Sequence, residues 1–219
     1  GKNYLIQHSA GSGKSNTITW LAYRLANFYQ SFTDEKAMYD SVIVVTDRRV
    51  LNKQIQDNIK QLDNTPGMVE YVDEKKTSQD LKKAIEDKKR IIITTIQKFP
   101  IISDIVTQFS DRKYAILIDE AHSSQSGEAA RHMRKALSLE EAAQKDVPGK
   151  DLDDVIADEI RKKGQQANIS QFAFTATPKP KTIELFGTLK NGKKEAFDEY
   201  TMEQAIKEGF IIDVLDNYM

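Results

Sequence analysis

The stretch that most restricts what this chain can fold into is Gln7-His8-Ser9-Ala10-Gly11-Ser12-Gly13-Lys14-Ser15. It follows a short apolar run, Tyr4-Leu5-Ile6, and precedes a segment with Ile18, Leu21, Ala22 and Leu25 on one face, so the spacing predicts a strand, a tight loop and a helix. Glycines at 11 and 13 let the backbone turn several N–H groups inward, where the positive end of the following helix adds to the field. A loop of this kind cradles phosphate. The ammonium of Lys14 would reach the outer phosphates and the hydroxyl of Ser15 would ligate Mg²⁺, with Ala10, Gly11, Ser12, Gly13 and Asn16 completing the cradle. The pattern G-x-x-x-x-G-K-[ST] is met in its second half only, because His8 stands in the place of the first Gly. We read His8 as a residue that shapes the loop. The competing reading, a Gly-Ser linker beside a stray lysine, sits poorly with a strand before it and a helix after it.

Composition sets outer bounds. A chain of 219 residues, 39% of them hydrophobic, suits one α/β domain with enough interior for a central sheet. The net charge of −1 means that nucleic-acid binding would have to come from a local basic face. With no cysteine, the chain can make neither a disulfide nor a thiolate metal site, and a reducing, cytoplasmic location is expected. No apolar run approaches the roughly 20 residues of a membrane span and no signal peptide precedes the first strand, so no membrane partner is expected. The phosphate loop lies almost at the first residue, which reads as a fragment of a longer protein.

Segments resembling buried parallel strands recur at Leu5-Ile6, Ser41 to Thr46, Met68 to Val72, Arg90 to Thr95, Tyr114 to Ile118 and Gln171 to Thr175. Helical patterns lie between them: Leu51, Ile55, Ile59 and Leu62 fall on one stripe of 49–62, and Leu81, Ala84 and Ile85 on one stripe of 78–88. Alternation of this kind predicts an α/β fold, a mostly parallel sheet with helices on both faces. Ligands of such sheets sit beyond the carboxyl ends of the strands. The charged stretch 139–168 reads as a surface insertion between two core strands. Near the end, Thr201 with Gln204 forms a capping box and Gly209 closes the helix, after which Phe210 to Val214 begins a strand or linker. Trp20 is expected in the core and His132 on the surface.

Ile116-Leu117-Ile118-Asp119-Glu120-Ala121-His122 is an apolar strand ending in two adjacent carboxylates. Neighbouring side chains at a strand end point opposite ways, so Asp119 can hold Mg²⁺ while Glu120 orients and deprotonates the water that attacks the γ-phosphate of ATP. With His122 this is a DEAH box. Here the sequence resembles the first RecA-like motor domain of superfamily-two helicases and translocases, and most closely the motor (R) subunit of type I restriction-modification enzymes. The narrower resemblance is carried by 8–15, by 44–51 with Gln54, by Thr94-Thr95-Ile96-Gln97-Lys98-Phe99, by Asp119 to His122 with Gln125, by Phe174-Thr175-Ala176-Thr177-Pro178, and by the tail from Phe186 to Gly209.

The resemblance implies translocation on double-stranded DNA driven by ATP hydrolysis, with the modification and specificity subunits of a restriction complex as partners and cleavage left to a separate nuclease domain. It implies catalytic roles for Lys14, Asp119, Glu120 and His122, and it gives Thr175 and Thr177 the coupling of the nucleotide site to strand movement. Residues 1–200 would form the first motor domain and 201–219 a capped helix and the start of the linker to a second. That second domain would supply the arginine finger, so the 219-residue chain alone is expected to be a weak ATPase. Nucleic-acid contacts are expected at Arg48, Arg49, Thr94, Thr95, Gln97 and Lys98, whose hydroxyls, amide and cations suit phosphate oxygens, although helix capping and solvated charge explain the same groups. Two rival functions are a DEAH-box helicase remodelling RNA or DNA, and a nucleotide-sensing module that barely hydrolyses ATP. Lys14→Ala is expected to abolish Mg-ATP binding and leave unfolding nearly unchanged.

Overall fold

The computed structural model of the chain describes residues 1–31, 33–46, 55, 57–59, 67–72, 76–119 and 166–212. In order, its elements are β1 (Asn3–His8), α1 (Lys14–Ala26), β2 (Ser41–Thr46), β3 (Val69–Val72), α2 (Ser78–Glu86), β4 (Ile91–Thr95), a single 3₁₀ turn (Ile96–Lys98) and α3 (Phe99–Gln108). There follow β5 (Tyr114–Ile118), β6 (Ile169–Thr175), α4 (Pro180–Phe186), β7 (Thr188–Lys190), β8 (Lys193–Glu195), β9 (Asp198–Tyr200) and α5 (Met202–Lys207). Seven strands form one sheet in the order β3-β4-β2-β5-β6-β1-β9, and every pairing in it is parallel. Their carboxyl ends therefore share one edge.

Strict alternation of side chains explains why β2, β4 and β5 read as continuous apolar runs. Val42 and Val44 face one way with Ile91, Ile93 and Leu117, against Ile18 and Ala22 of α1 and the helical residues Ile55 and Ile59. Ile43, Val45, Ile92, Ile116 and Ile118 face the other way, against Leu81 and Ile85 of α2, Ile102 and Val106 of α3, and Phe186 of α4. Helices thus cover both faces, as the alternation of elements predicts. Each such side chain taken fully out of water contributes about 1.5–3 kcal/mol before entropy is counted, so burial on both faces holds these central strands strongly.

Local chemistry sets the helix boundaries. The Thr77 hydroxyl accepts the Asp80 N–H while the Asp80 carboxylate accepts the Thr77 N–H, which starts α2. The same box at Thr201 and Gln204 starts α5, and Gly209, at φ 77°, ends it. Ser41–Thr46 and Tyr114–Ile118 coincide with the expected strands, while β1 is longer than expected because it pairs with β6 from Asn3 and with β9 as far as His8, and β6 is longer because Ile169 and Ser170 pair with Tyr114 and Ala115 of β5.

Several expectations need correction. Trp20 is 61% exposed, because α1 turns Ile18, Ala22 and Ala26 to the sheet and leaves Trp20 off that stripe. Of the strand or linker expected over 210–214, residues 210–212 are not strand, with Phe210 and Ile212 facing solvent, and 213–214 lie outside the described residues. Unforeseen were α3, the hairpin of β7 and β8 with Asn191 and Gly192 both at positive φ in its turn, and β9, which adds a parallel strand beside β1. Leu51 and Leu62, and all of 139–168 before Gln166, lie outside the described residues, as do His132 and Val214. Among the described residues, no helix is long and apolar enough to cross a membrane.

Candidate nucleotide-binding site

The loop between β1 and α1 takes the shape its glycines were expected to permit. Gly11 and Gly13 lie at φ 77° and 90°, the left-handed region in which a side chain would be strained. Gly13 caps α1, and its carbonyl accepts the N–H groups of Asn16 and Thr17 at 2.9 and 3.1 Å. The first turn of α1 carries no acidic residue and no side-chain cap. Its positive end is left for an anion.

His8 organises the loop from within. Its Nδ1 lies 2.7 Å from Ser12 Oγ and its Nε2 lies 3.1 Å from Thr17 Oγ1. Burial lowers the pKa of His8, and the Lys14 charge adds to this, against opposing contributions from the Ser9 backbone and Asp198. Burial thus favours the neutral ring, which has one proton to place. Ser12 gives its own proton to the Ser9 carbonyl at 2.6 Å, so Nδ1–H of His8 donates to Ser12 and Nε2 accepts from Thr17. Thr17 is a residue that motif reasoning passed over. Only its place one helical turn past the loop could have signalled it.

Lys14 reaches across the edge of the sheet. Its Nζ lies 3.2 Å from Asp119 Oδ1, with the two side chains only 9% and 0% exposed. Burial lowers the Lys14 pKa, and the Asp119 charge and hydrogen bond oppose that. Asp119 directly follows β5, where its N–H donates to the Val45 carbonyl at 2.8 Å. β6 runs between β1 and β5, so its last residue, Thr175, and Thr177 in the loop after it lie between the strands that deliver Lys14 and Asp119. Thr175 is buried and its hydroxyl accepts the N–H of the exposed Thr177 at 3.2 Å.

Of the remaining cradle residues, Ser12 is buried, Ser15 is half-buried in the first turn of α1, and Ala10, Gly11 and Asn16 are exposed. Asn16 Oδ1 accepts a hydrogen bond from Asn58 at 2.7 Å. The hydroxyl of Ser15 and the carboxylate of Asp119 are hard oxygen donors of the kind Mg²⁺ takes alongside nucleotide phosphates. Glu120, His122, Arg48 and Arg49 lie outside the described residues.

The expected nucleic-acid group at the end of β4 is different in kind. Thr94 is completely buried and its hydroxyl donates to the Val72 carbonyl at 2.9 Å, so it ties β3 to β4 and offers no surface group. Thr95 is 3% exposed. Gln97 lies in the 3₁₀ turn, and half-buried Lys98 gives one proton to the Lys76 carbonyl at 2.8 Å. Thr94 is thus a structural link whose hydroxyl is already given to the fold.

Comparisons with known proteins bear on the fold and the family of the chain. The helicase domain of Hef from Pyrococcus furiosus is similar in structure, with a TM-score of 0.50 and 19% identity over 91% of this chain. A nuclease-deletion mutant of the type ISP restriction-modification enzyme LlaGI, solved in complex with a DNA substrate mimic, has a TM-score of 0.55 and 13% identity over 95% of this chain. At such identities the likeness concerns the fold. This chain covers 35% of the first of those chains and 16% of the second. In sequence, residues 1–143 match the SWI2/SNF2 ATPase family, a span that holds the phosphate loop, Asp119, Glu120 and His122 together. With its phosphate loop facing Asp119 across a parallel, helix-covered sheet, the chain belongs to the SWI2/SNF2 ATPase family.

Proposed function

We propose that this chain binds and hydrolyses Mg-ATP as the first motor domain of a translocase on double-stranded DNA, of the kind found in the R subunit of type I restriction enzymes. The observation that carries the catalytic part is the buried Lys14–Asp119 pair, which joins the phosphate loop to the acidic strand end at 3.2 Å. An ammonium and a carboxylate kept together at the carboxyl edge are two groups that ATP hydrolysis uses, and both exchange partners when nucleotide arrives. Lys14 passes to the outer phosphates, where its charge offsets theirs, while the loop N–H groups and the end of α1 hold the phosphate chain.

Ser15 and Asp119 would hold Mg²⁺, which supplies Lewis-acid charge at the phosphates. Glu120 takes the proton of the attacking water, and His122 is its catalytic companion in the DEAH box. Thr175 and Thr177, between the two halves of the site, carry a change there into the rest of the molecule. Residues 1–200 act as one motor unit, 139–168 as an insertion in it, and 201–219 lead to a second unit that provides the arginine finger. The restriction-specific part, with modification and specificity subunits as partners, rests on the sequence patterns at 94–99, 174–178 and 186–209.

Calorimetry with Mg-ATP tests the catalytic reading: Lys14→Ala should lose measurable binding, and parent-like affinity would end it. Stimulation of the full-length protein's ATPase by duplex DNA, compared with single-stranded RNA, tests the choice of track. Preference for RNA would favour a DEAH-box remodelling helicase, and binding without turnover a nucleotide sensor.

A further inference from the structure

The strand that sequence did not announce, β9, brings one aromatic ring to the phosphate loop. Its parallel register against β1 sets Tyr200 opposite His8, and the two rings lie 5.1 Å apart between centroids at an interplanar angle of 50°. The Tyr200 carbonyl accepts the Ser9 N–H at 3.0 Å, so backbone and side chain of Tyr200 both engage the start of the loop. On its far side the phenol donates to Glu208 Oε2 at 2.6 Å, just past α5. Tyr200 thus sits between the phosphate loop and the residues that follow α5.

His8 needs such a wall. Where the motif has glycine, this chain has an imidazole whose two nitrogens are committed to Ser12 and Thr17 in one tautomer and one orientation. A ring free to turn about its bond to Cβ would put carbons where its nitrogens stand, lose both partners and loosen Ser12, and nucleotide binding would then carry the entropy cost of ordering the loop. We propose that Tyr200 is a positioning residue for the phosphate loop: its ring holds the His8 imidazole in the orientation that bridges Ser12 and Thr17. Its effect on nucleotide rests on the proposed function above; its effect on His8 does not.

Two readouts on the 219-residue chain separate those claims. Imidazole ¹⁵N spectra without nucleotide, with His8 assigned by its loss in His8→Gly, should give the neutral Nδ1–H tautomer in the parent and in Tyr200→Phe. Tyr200→Ala should give tautomer-averaged shifts. Unaltered His8 shifts in a folded Tyr200→Ala would overturn the proposal, and Tyr200→Leu reads the same quantity if the alanine variant does not fold.

Mg-ATP calorimetry then measures the consequence. Tyr200→Ala should weaken binding by about 3- to 10-fold, the scale of one ring contact together with the restraint it imposes. In a His8→Gly background the same substitution should cost less than about twofold, because its target is gone. An equal loss in both backgrounds would show that Tyr200 acts merely as a sheet residue and would overturn the proposal. Parent-like ATP affinity in Lys14→Ala alongside altered His8 shifts in Tyr200→Ala would instead remove the nucleotide reading and leave the positioning role standing.

Discussion

The ends of β1 and β4 leave the same sheet in the same direction, and both have hydroxyls at or just past the strand end and a lysine beyond it, yet they use those groups in opposite ways. At the end of β4, the Thr94 hydroxyl and one Lys98 proton are given to backbone carbonyls, of Val72 and Lys76, so polar side chains finish the hydrogen bonding of the fold. After β1, side chains bond chiefly to one another and to the loop itself: His8 to Ser12 and Thr17, Ser12 to Ser9, and Lys14 to the carboxylate of Asp119. The first turn of α1, with no acidic residue and no side-chain cap, stays open to an anion. A polar residue at a strand end is thus informative only through what it bonds to, and composition alone does not distinguish the two ends.

The largest effect expected from this contrast is on turnover. In the full-length protein Glu120→Gln should retain Mg-ATP affinity and lose about 10²- to 10⁴-fold in kcat, the usual worth of a general base. Steady-state hydrolysis at saturating ATP measures it, and undiminished turnover would place the base elsewhere.

Next is the stability of the Lys14–Asp119 pair. The sequence-based expectation that Lys14→Ala leaves unfolding nearly unchanged does not fit a carboxylate 0% exposed that would lose its counter-charge. Removing one partner of a buried pair costs about 3 kcal/mol, and Asp119→Asn added to Lys14→Ala should recover a large part of it. Denaturant titration of the single and double variants decides the matter, and additive losses would mean the two groups do not interact.

At the other strand end, Thr94→Val should cost about 1 kcal/mol, the net worth of one buried hydrogen bond, and leave DNA-stimulated hydrolysis as in the parent. Weakened DNA binding at unchanged stability would erase the distinction between the two ends.

The smallest effect concerns acid. Burial holds the His8 pKa below its ordinary value, so the unfolded chain takes up a proton first as pH falls through about 6.5. This contribution to stability is complete above that pH and is lost below it. A stability profile from pH 7.5 to 5.5 should fall less steeply for His8→Gly than for the parent, and parallel profiles would show that His8 titrates normally.

Much of this arrangement is legible in the sequence, because it is written in local or periodic terms. Uninterrupted β-branched runs at 42–46 and 91–95 read as central parallel strands, and a tight turn at Gly11 and Gly13 ahead of an amphipathic segment reads as the opening onto a helix N-terminus. The capping boxes at Thr77 and Thr201 need three-residue spacing and nothing more. What tertiary structure alone decided are relations between residues far apart in the chain. That Lys14 meets Asp119 depends on β5, β6 and β1 lying side by side, and that Thr94 is a link to Val72 depends on β3 pairing with β4. Trp20 is exposed because the stripe α1 buries is chosen by the sheet it covers. β9 is three residues of mostly exposed, charged sequence, invisible to any hydrophobic period, and only its pairing with β1 makes it a strand and sets Tyr200 against His8. Periodicity and turn chemistry act over a few residues and survive in the one-dimensional string; partnership across a sheet is fixed by packing the whole interior at once.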